Sequence, residues 1–201
     1  INVTLVDRKS LNNLTKTDKH QGIAAEVHEF TYCNIADILD LAKKKGQSPF
    51  VLILDGIEDP QNLGSIIRSA YCFGVHGIII PKDRSASVTP AVYKASAGAV
   101  EYMPVARVVN ISRAIDELKK EGLWIVGASS ESKTSVLDFN FPSSIGIVIG
   151  GEGRGIRAGV KEKCDYLVSI PMMGELSSLN ASVASAILIF EVMKRRIENK
   201  T

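Results

Sequence analysis

Short, uninterrupted apolar runs alternate along this chain with longer stretches whose apolar residues recur every three or four positions. The runs FVLILD (50–55), GIIIP (77–81), LWIVGAS (123–129), SIGIVIGG (144–151) and YLVSIP (166–171) lack the in–out alternation of a half-exposed strand. They read as strands buried on both faces, and EYMPVARV (101–108) is strand-like. Between them, LGSIIRSAYCFG (63–74), TPAVYKASAG (89–98) and ISRAIDELKKEG (111–122) read as helices. Thr89 is placed to cap the second of these, with Pro90 at its first position. A final helix, NASVASAILIFEVMKRRIENK (180–200), is apolar nearly all round until Lys194. This alternation predicts an α/β domain with a mostly parallel sheet and helices on both faces.

A change of composition near residue 48 sets off a more polar first part, residues 1–48, from the α/β part, residues 49–201. Within the first part, IADILDLAKKKGQS (35–48) is amphipathic, with Ile35, Ile38, Leu39 and Ala42 on one face and Lys43, Lys44, Lys45 and Gly46 as stop signals. The 201 residues fit one domain, or one domain and a fragment, and 45% hydrophobic residues suffice for a core. A net charge of +2 announces no polyanion binder as a whole, though a local basic surface remains compatible with it. Cys33, Cys72 and Cys164 are far apart, as are His20, His28 and His76, so reduced thiols in the cytoplasm and no metal site are expected. No run reaches the roughly 18 apolar residues of a membrane span. The chain begins with Ile1, so further sequence upstream is expected.

Ligands gather at the carboxyl ends of such sheets, and three strand ends here are rich in polar and small residues. In DPQNLGSIIRSA (59–70), Asn62 is positioned as a helix cap. At 100° per residue, Leu63, Ile66, Ile67, Ala70 and Gly74 form the core face. Arg68 falls off that face, beside Gly64, Ser65 and Cys72, whose small size admits another backbone or a ligand. In GIVIGGEGRGI (146–156) the glycines lack dinucleotide spacing, and Glu152 would repel a pyrophosphate. A cationic or hydroxyl-bearing ligand suits it better. In SIPMMGELSSLNASVASAI (169–187), Ser177 or Ser178 is a candidate cap. Two hydroxyls and an amide there also form a donor and acceptor set for a small polar ligand.

Taken in this order, "DPQNLGSIIRSA", "IGGEGRGI" and "IPMMGELSSLNASVASAI" resemble the three motifs of the SpoU (TrmH) family of RNA ribose 2′-O-methyltransferases, in the SPOUT superfamily. HQGIAAEV (20–27) and IPKDRSA (80–86) are similar to the branch that methylates a guanosine in the peptidyl-transferase region of bacterial large-subunit ribosomal RNA. The resemblance implies S-adenosylmethionine as cofactor, a C-terminal trefoil knot, an RNA substrate and a homodimer, with no metal and no membrane. It implies that residues 1–48 are the tail of an N-terminal RNA-binding domain plus linker. By motif position it assigns catalysis to Arg68, Asn62, Glu152, Ser178 and Asn180. Ala128, Ser129, Gly150, Gly151, Ile170, Met172 and Leu179 are assigned to the cofactor. Arg154 and Lys82, Asp83 and Arg84 lie on loops, where phosphate contact and a solvated charge are both open readings. A transfer RNA methyltransferase and a non-catalytic RNA-binding protein are the rival functions.

Overall fold

A computed structural model describes residues 2–26, 28–176 and 178–198. They form two compact units, Ile1–Thr31 and Tyr32–Thr201. In the first, helix α1 (Arg8–Thr15) is capped by Asp7, which accepts from the Ser10 N–H, and the helix buries none of its residues. His20 folds its own segment locally: Nδ1 accepts from the Gly22 N–H at 2.9 Å and Nε2 faces Asn12 Oδ1 at 2.7 Å. One neutral tautomer satisfies both contacts. Val27, the end of the HQGIAAEV segment, lies outside the described residues.

The second unit runs α2 (Ile35–Lys44), β1 (Phe50–Asp55), α3 (Pro60–Cys72), β2 (Gly77–Pro81), α4 (Pro90–Ala95), a 3₁₀ turn (Ala99–Glu101) and β3 (Val105–Val108). It continues with α5 (Ile111–Lys120), β4 (Trp124–Ala128), β5 (Ile145–Gly150), α6 (Ala158–Lys161), β6 (Tyr166–Val168) and α7 (Ala181–Glu198). The strands form one parallel sheet in the order β3-β2-β1-β5-β4-β6. Register assigns the two faces. Val51, Ile53, Ile79, Ile125 and Val148 share one core with Ile35 and Ile38 of α2, Ile115 and Leu118 of α5 and Val160 of α6. Phe50, Leu52, Ile78, Val126 and Ile147 take the opposite parity, and α7 packs against β5 and α3. With both faces covered, an apolar residue is required at nearly every strand position, and this produces the uninterrupted runs.

Several local details depart from the sequence reading. Helix α2, grouped there with residues 1–48, packs into the sheet core of the second unit because Ile35, Ile38 and Ala42 are buried. Strand β3 begins only after Pro104, which has no N–H for a ladder. Asp59 caps α3, accepting from the Gln61 N–H at 2.9 Å, with Pro60 at the first position. Asn62 therefore sits inside the first turn, and its side chain is free to point elsewhere. Leu63, Ile66, Ile67 and Ala70 are buried as expected, but Gly74 is exposed beyond the helix end with φ 76°. Gly64 is small because α4 crosses it: a Cβ there would lie 2.4 Å from Ala95 Cβ. Thr89 precedes α4 without a side-chain cap bond. Helix α7 buries one face, Leu188, Ile189 and Val192, and leaves Val183 and Phe190 47% and 45% exposed.

The amino-terminal edge of the sheet is fastened by two side chains. Arg196, near the end of α7, donates to the carbonyls of Ser48, Pro49 and Ser143 and covers the Phe50 ring at 4.9 Å. His76 accepts from the Phe50 N–H at Nδ1, 3.0 Å, and its Nε2 faces Gln47 Oε1 at 2.9 Å. Burial, then the charges of Arg196 and Lys45, push its pKa down to about 4. The unfolded chain takes up this proton near the ordinary value of about 6.5. The neutral ring's contribution is thus complete above about pH 6.5 and lost as pH falls toward 4, by an amount on the order of 3 kcal/mol. Urea unfolding at pH 7 and pH 4.5 should show His76→Gln losing less stability on acidification than the parent. Parallel losses in the two proteins would contradict a buried neutral His76.

Candidate active site

At the carboxyl edge of the sheet, β1 ends in Asp55, which is 1% exposed. Its carboxylate accepts from the Arg157 backbone N–H at 2.8 Å and from Arg157 Nε at 2.7 Å, and the guanidinium completes an ion pair. Its carbonyl accepts from the Gly151 N–H at 2.9 Å. Both ends of the glycine-rich loop after β5 are thereby tied to the tip of β1. The loop closes on itself through the Gly155 N–H and Gly151 carbonyl at 3.0 Å. A Cβ on Gly151 would lie 2.1 Å from the Gly56 carbonyl oxygen, and one on Gly150 would lie 2.0 Å from the Gly155 backbone. These two glycines therefore answer to the chain's own backbone, which passes where side chains would stand.

The tied loop aims Glu152 at the other two motifs. Glu152 Oε1 accepts from Asn62 Nδ2 at 2.9 Å and from Asn180 Nδ2 at 2.8 Å, and Asn180 Nδ2 also reaches Asn62 Oδ1 at 3.0 Å. Three side chains from three distant segments thus form one closed cluster. Asn180 has a second duty. Its Oδ1 accepts from the N–H and hydroxyl of Ser182, at 2.9 and 2.6 Å, and from the Val183 N–H, so Asn180 caps α7. The cap expected from Ser177 or Ser178 falls on Asn180 instead, because its longer amide spans cap and cluster together. Ser177 itself lies outside the described residues, and Ser178 is exposed.

Two clefts flank the glycine loop. One, of about 480 Å³, lies at the ends of β4, β5 and β6. It is lined by Ala128, Ser129, Gly150, Gly151, Ile170, Met172 and Leu179, together with Glu152 and Ser178. All seven positions assigned to a cofactor are brought to this one cavity. Its wall also holds Glu131 and Lys161, which pair at 2.6 Å and which the motif reading missed. Glu131 lies three residues past the β4 end, the one signal that points to it, and Lys161 ends α6 with no signal of its own. The Lys161 ammonium, by hydrogen bond and charge, holds the Glu131 carboxyl below its usual range. The second cleft, about 460 Å³, adjoins Asp55, Asn62, Arg84, Glu152 and Arg154.

Arg68 stands apart. It is exposed on α3 and lines neither cleft. Burial pushes the Cys33 and Cys164 thiols up to about 11, so neither is a thiolate nucleophile at neutral pH. Among the described residues no cluster of three or more His, Cys, Asp or Glu side chains is placed to hold a metal, and no helix is long and apolar enough to cross a membrane. With backbone standing where its Cβ would go, Gly151→Ala should destabilise the protein by roughly 1–3 kcal/mol in urea unfolding. Gly159→Ala, where a Cβ meets nothing within 4 Å, leaves stability unchanged or slightly raised.

Residues 49–190 match the SpoU rRNA Methylase family, and residues 1–33 match the family described as RNA 2′-O ribose methyltransferase substrate binding. Among curated relatives, the 23S rRNA (guanosine-2′-O-)-methyltransferase RlmB of Coxiella burnetii is 46% identical over 98% of this chain and 78% of its own length. The putative TrmH family tRNA/rRNA methyltransferase YacO of Bacillus subtilis is 44% identical over the same shares. The crystal structure of the SpoU methyltransferase AviRb of Streptomyces viridochromogenes, in complex with the cofactor AdoMet, aligns with a TM-score of 0.70 at 32% identity. That alignment covers 75% of this chain and 59% of AviRb. With matches of this extent over the sheet, the glycine loop and all three clustered side chains, the chain belongs to the SpoU methylase family.

Proposed function

We propose that this protein transfers a methyl group from S-adenosylmethionine to the ribose 2′-oxygen of an RNA nucleotide, a guanosine in the peptidyl-transferase region of bacterial large-subunit ribosomal RNA. The observation that carries the reading is the cluster of Asn62, Glu152 and Asn180, whose Glu152 lines both clefts. The larger cleft fits the cofactor. Ile149, Val168, Ile170 and Leu179 offer apolar walls to an adenosyl group, and the Glu152 and Glu131 carboxylates suit a cationic ligand better than a pyrophosphate. The cofactor supplies an electrophilic methyl group on a sulfonium.

The chain's own task is then to position a weakly acidic hydroxyl and to support the charge that develops on its oxygen. Glu152 and Asn62 are the groups that orient the ribose. Ser178 and Asn180 order the third loop beside them. Arg68 bears the developing negative charge as a guanidinium, because a guanidinium scarcely deprotonates in proteins. Its position outside both clefts supports the homodimer reading, in which Arg68 of a second copy reaches the site. The stacked Tyr71 and Tyr102 and the exposed Val183 and Phe190 provide apolar surface on α3, α7 and the turn beside them. The trefoil knot, the cytoplasmic setting and an RNA-binding role for the part of residues 1–48 that precedes α2 belong to the same reading. The name of the Coxiella relative supports ribosomal RNA, and that of YacO keeps transfer RNA as the second substrate to try.

Methyl transfer from labelled cofactor to unmodified large-subunit ribosomal RNA, mapped by blocked primer extension, tests the whole. A single ribose methyl in the peptidyl-transferase region, abolished by Arg68→Ala, is expected. Arg68→Lys should lose nearly all turnover, since an ammonium lacks the planar fork. Mixing inactive Arg68→Ala and Glu152→Ala proteins should restore part of the activity, because each mixed dimer then holds one intact site. No recovery on mixing contradicts the shared site. Cofactor binding that survives bulky replacement of Leu179 in a folded protein contradicts the cleft assignment.

A further inference from the structure

The cleft of about 460 Å³ between the ends of β1 and β5 has a chemical character of its own. Three arginines line it, in unlike states. Arg157 is committed to Asp55. Arg84 and Arg154 come from separate loops on the cleft wall and have no ion-pair partner among the described residues. Arg84 holds a left-handed backbone, φ 56°, which side chains rarely adopt. The loop that carries it is anchored at both ends. The Lys82 N–H donates to the Val108 carbonyl at 2.7 Å, and the Ala86 N–H to the Ile57 carbonyl at 2.8 Å. Arg107 Nη2 adds a bond to the Lys82 carbonyl at 3.1 Å. The anchors over-determine the loop, so its strained apex persists and carries Arg84 at the cleft wall.

The same cleft is lined by the acceptors Glu58 and Glu152 and the amide of Asn62. A bare polyanion would meet two repelling carboxylates. A nucleotide fits the mixture: its phosphate takes the guanidinium groups, and its hydroxyls and base N–H groups take the carboxylates. We propose that this cleft is the subsite for the target nucleotide, with Arg84 and Arg154 holding the RNA phosphate beside the ribose that Asn62 and Glu152 orient. The proposal rests on the RNA methyltransferase reading and adds to it the residues that grip the substrate backbone.

Arg84→Gly tests it cleanly, because glycine takes a positive φ without cost while the guanidinium is lost. Arg154→Gln removes the second cation. Each variant and the parent are compared in methyl transfer to unmodified large-subunit ribosomal RNA, in RNA binding across a salt series, and in calorimetry with S-adenosylmethionine. The expected result is a KM for RNA raised about tenfold in each variant, the loss of one charge-assisted contact. The slope of log K against log salt should shrink by about 0.7 per lost phosphate contact. The cofactor affinity of Arg84→Gly should equal the parent's, since Arg84 does not line the cofactor cleft. Parental KM and salt slope in both variants overturn the proposal. A parent that binds and methylates neither ribosomal nor transfer RNA overturns the methyltransferase reading first, and this subsite with it.

Discussion

One buried carboxylate sets the geometry of the carboxyl edge of the sheet. Asp55 ends β1 with almost no exposure, and its two oxygens are taken by the backbone and side chain of Arg157. A buried charge left without its partner would cost several kcal/mol, on the order of 3–5. The loop of residues 150–157 is therefore held against β1 rather than standing free above the sheet. Everything in the site follows from that tether. It sets the close backbone passages at Gly150 and Gly151, turns Glu152 toward Asn62 and Asn180, and divides the edge of the sheet into two clefts.

The parallel sheet was legible in the sequence because strands covered on both faces tolerate few polar residues. FVLILD, GIIIP and IGIVIG are therefore solid apolar blocks. Helix starts were harder to read. Asn62 is a favoured cap type, yet Asp59 followed by Pro60 is the stronger start signal and moves the helix back by a turn. That shift changes the meaning of Asn62, from a residue serving its own helix to one reaching across the fold. The cofactor positions came from likeness in motif order, and the fold gathers them because β4, β5 and β6 end side by side. The left-handed backbone at Arg84 had no signature, since nothing in KDRS demands a positive φ. It arises from anchoring bonds to segments distant in sequence.

The two clefts divide the chemistry. Both carry acidic and basic groups, but the first adds the apolar side chains Ile149, Val168, Ile170 and Leu179 and the paired Glu131 and Lys161, and the second adds Arg84, Glu58 and the Asp55–Arg157 pair. Glu152, held by Asn62 and Asn180, lines both, where a donor bound on one side and an acceptor bound on the other would meet. The other edge of the sheet is fastened by Arg196 and His76, which hold α7 and β1 in place.

The double duty of Asn180 links the ageing of the protein to its chemistry. Deamidation to aspartate would keep an acceptor at the cap of α7, where negative charge is welcome. The same change would remove the amide donor that faces Glu152 and put a second carboxylate beside it. The helix cap would survive while the cluster came apart, so the three motifs would lose their alignment. Such a lesion would strike the site while sparing the helix.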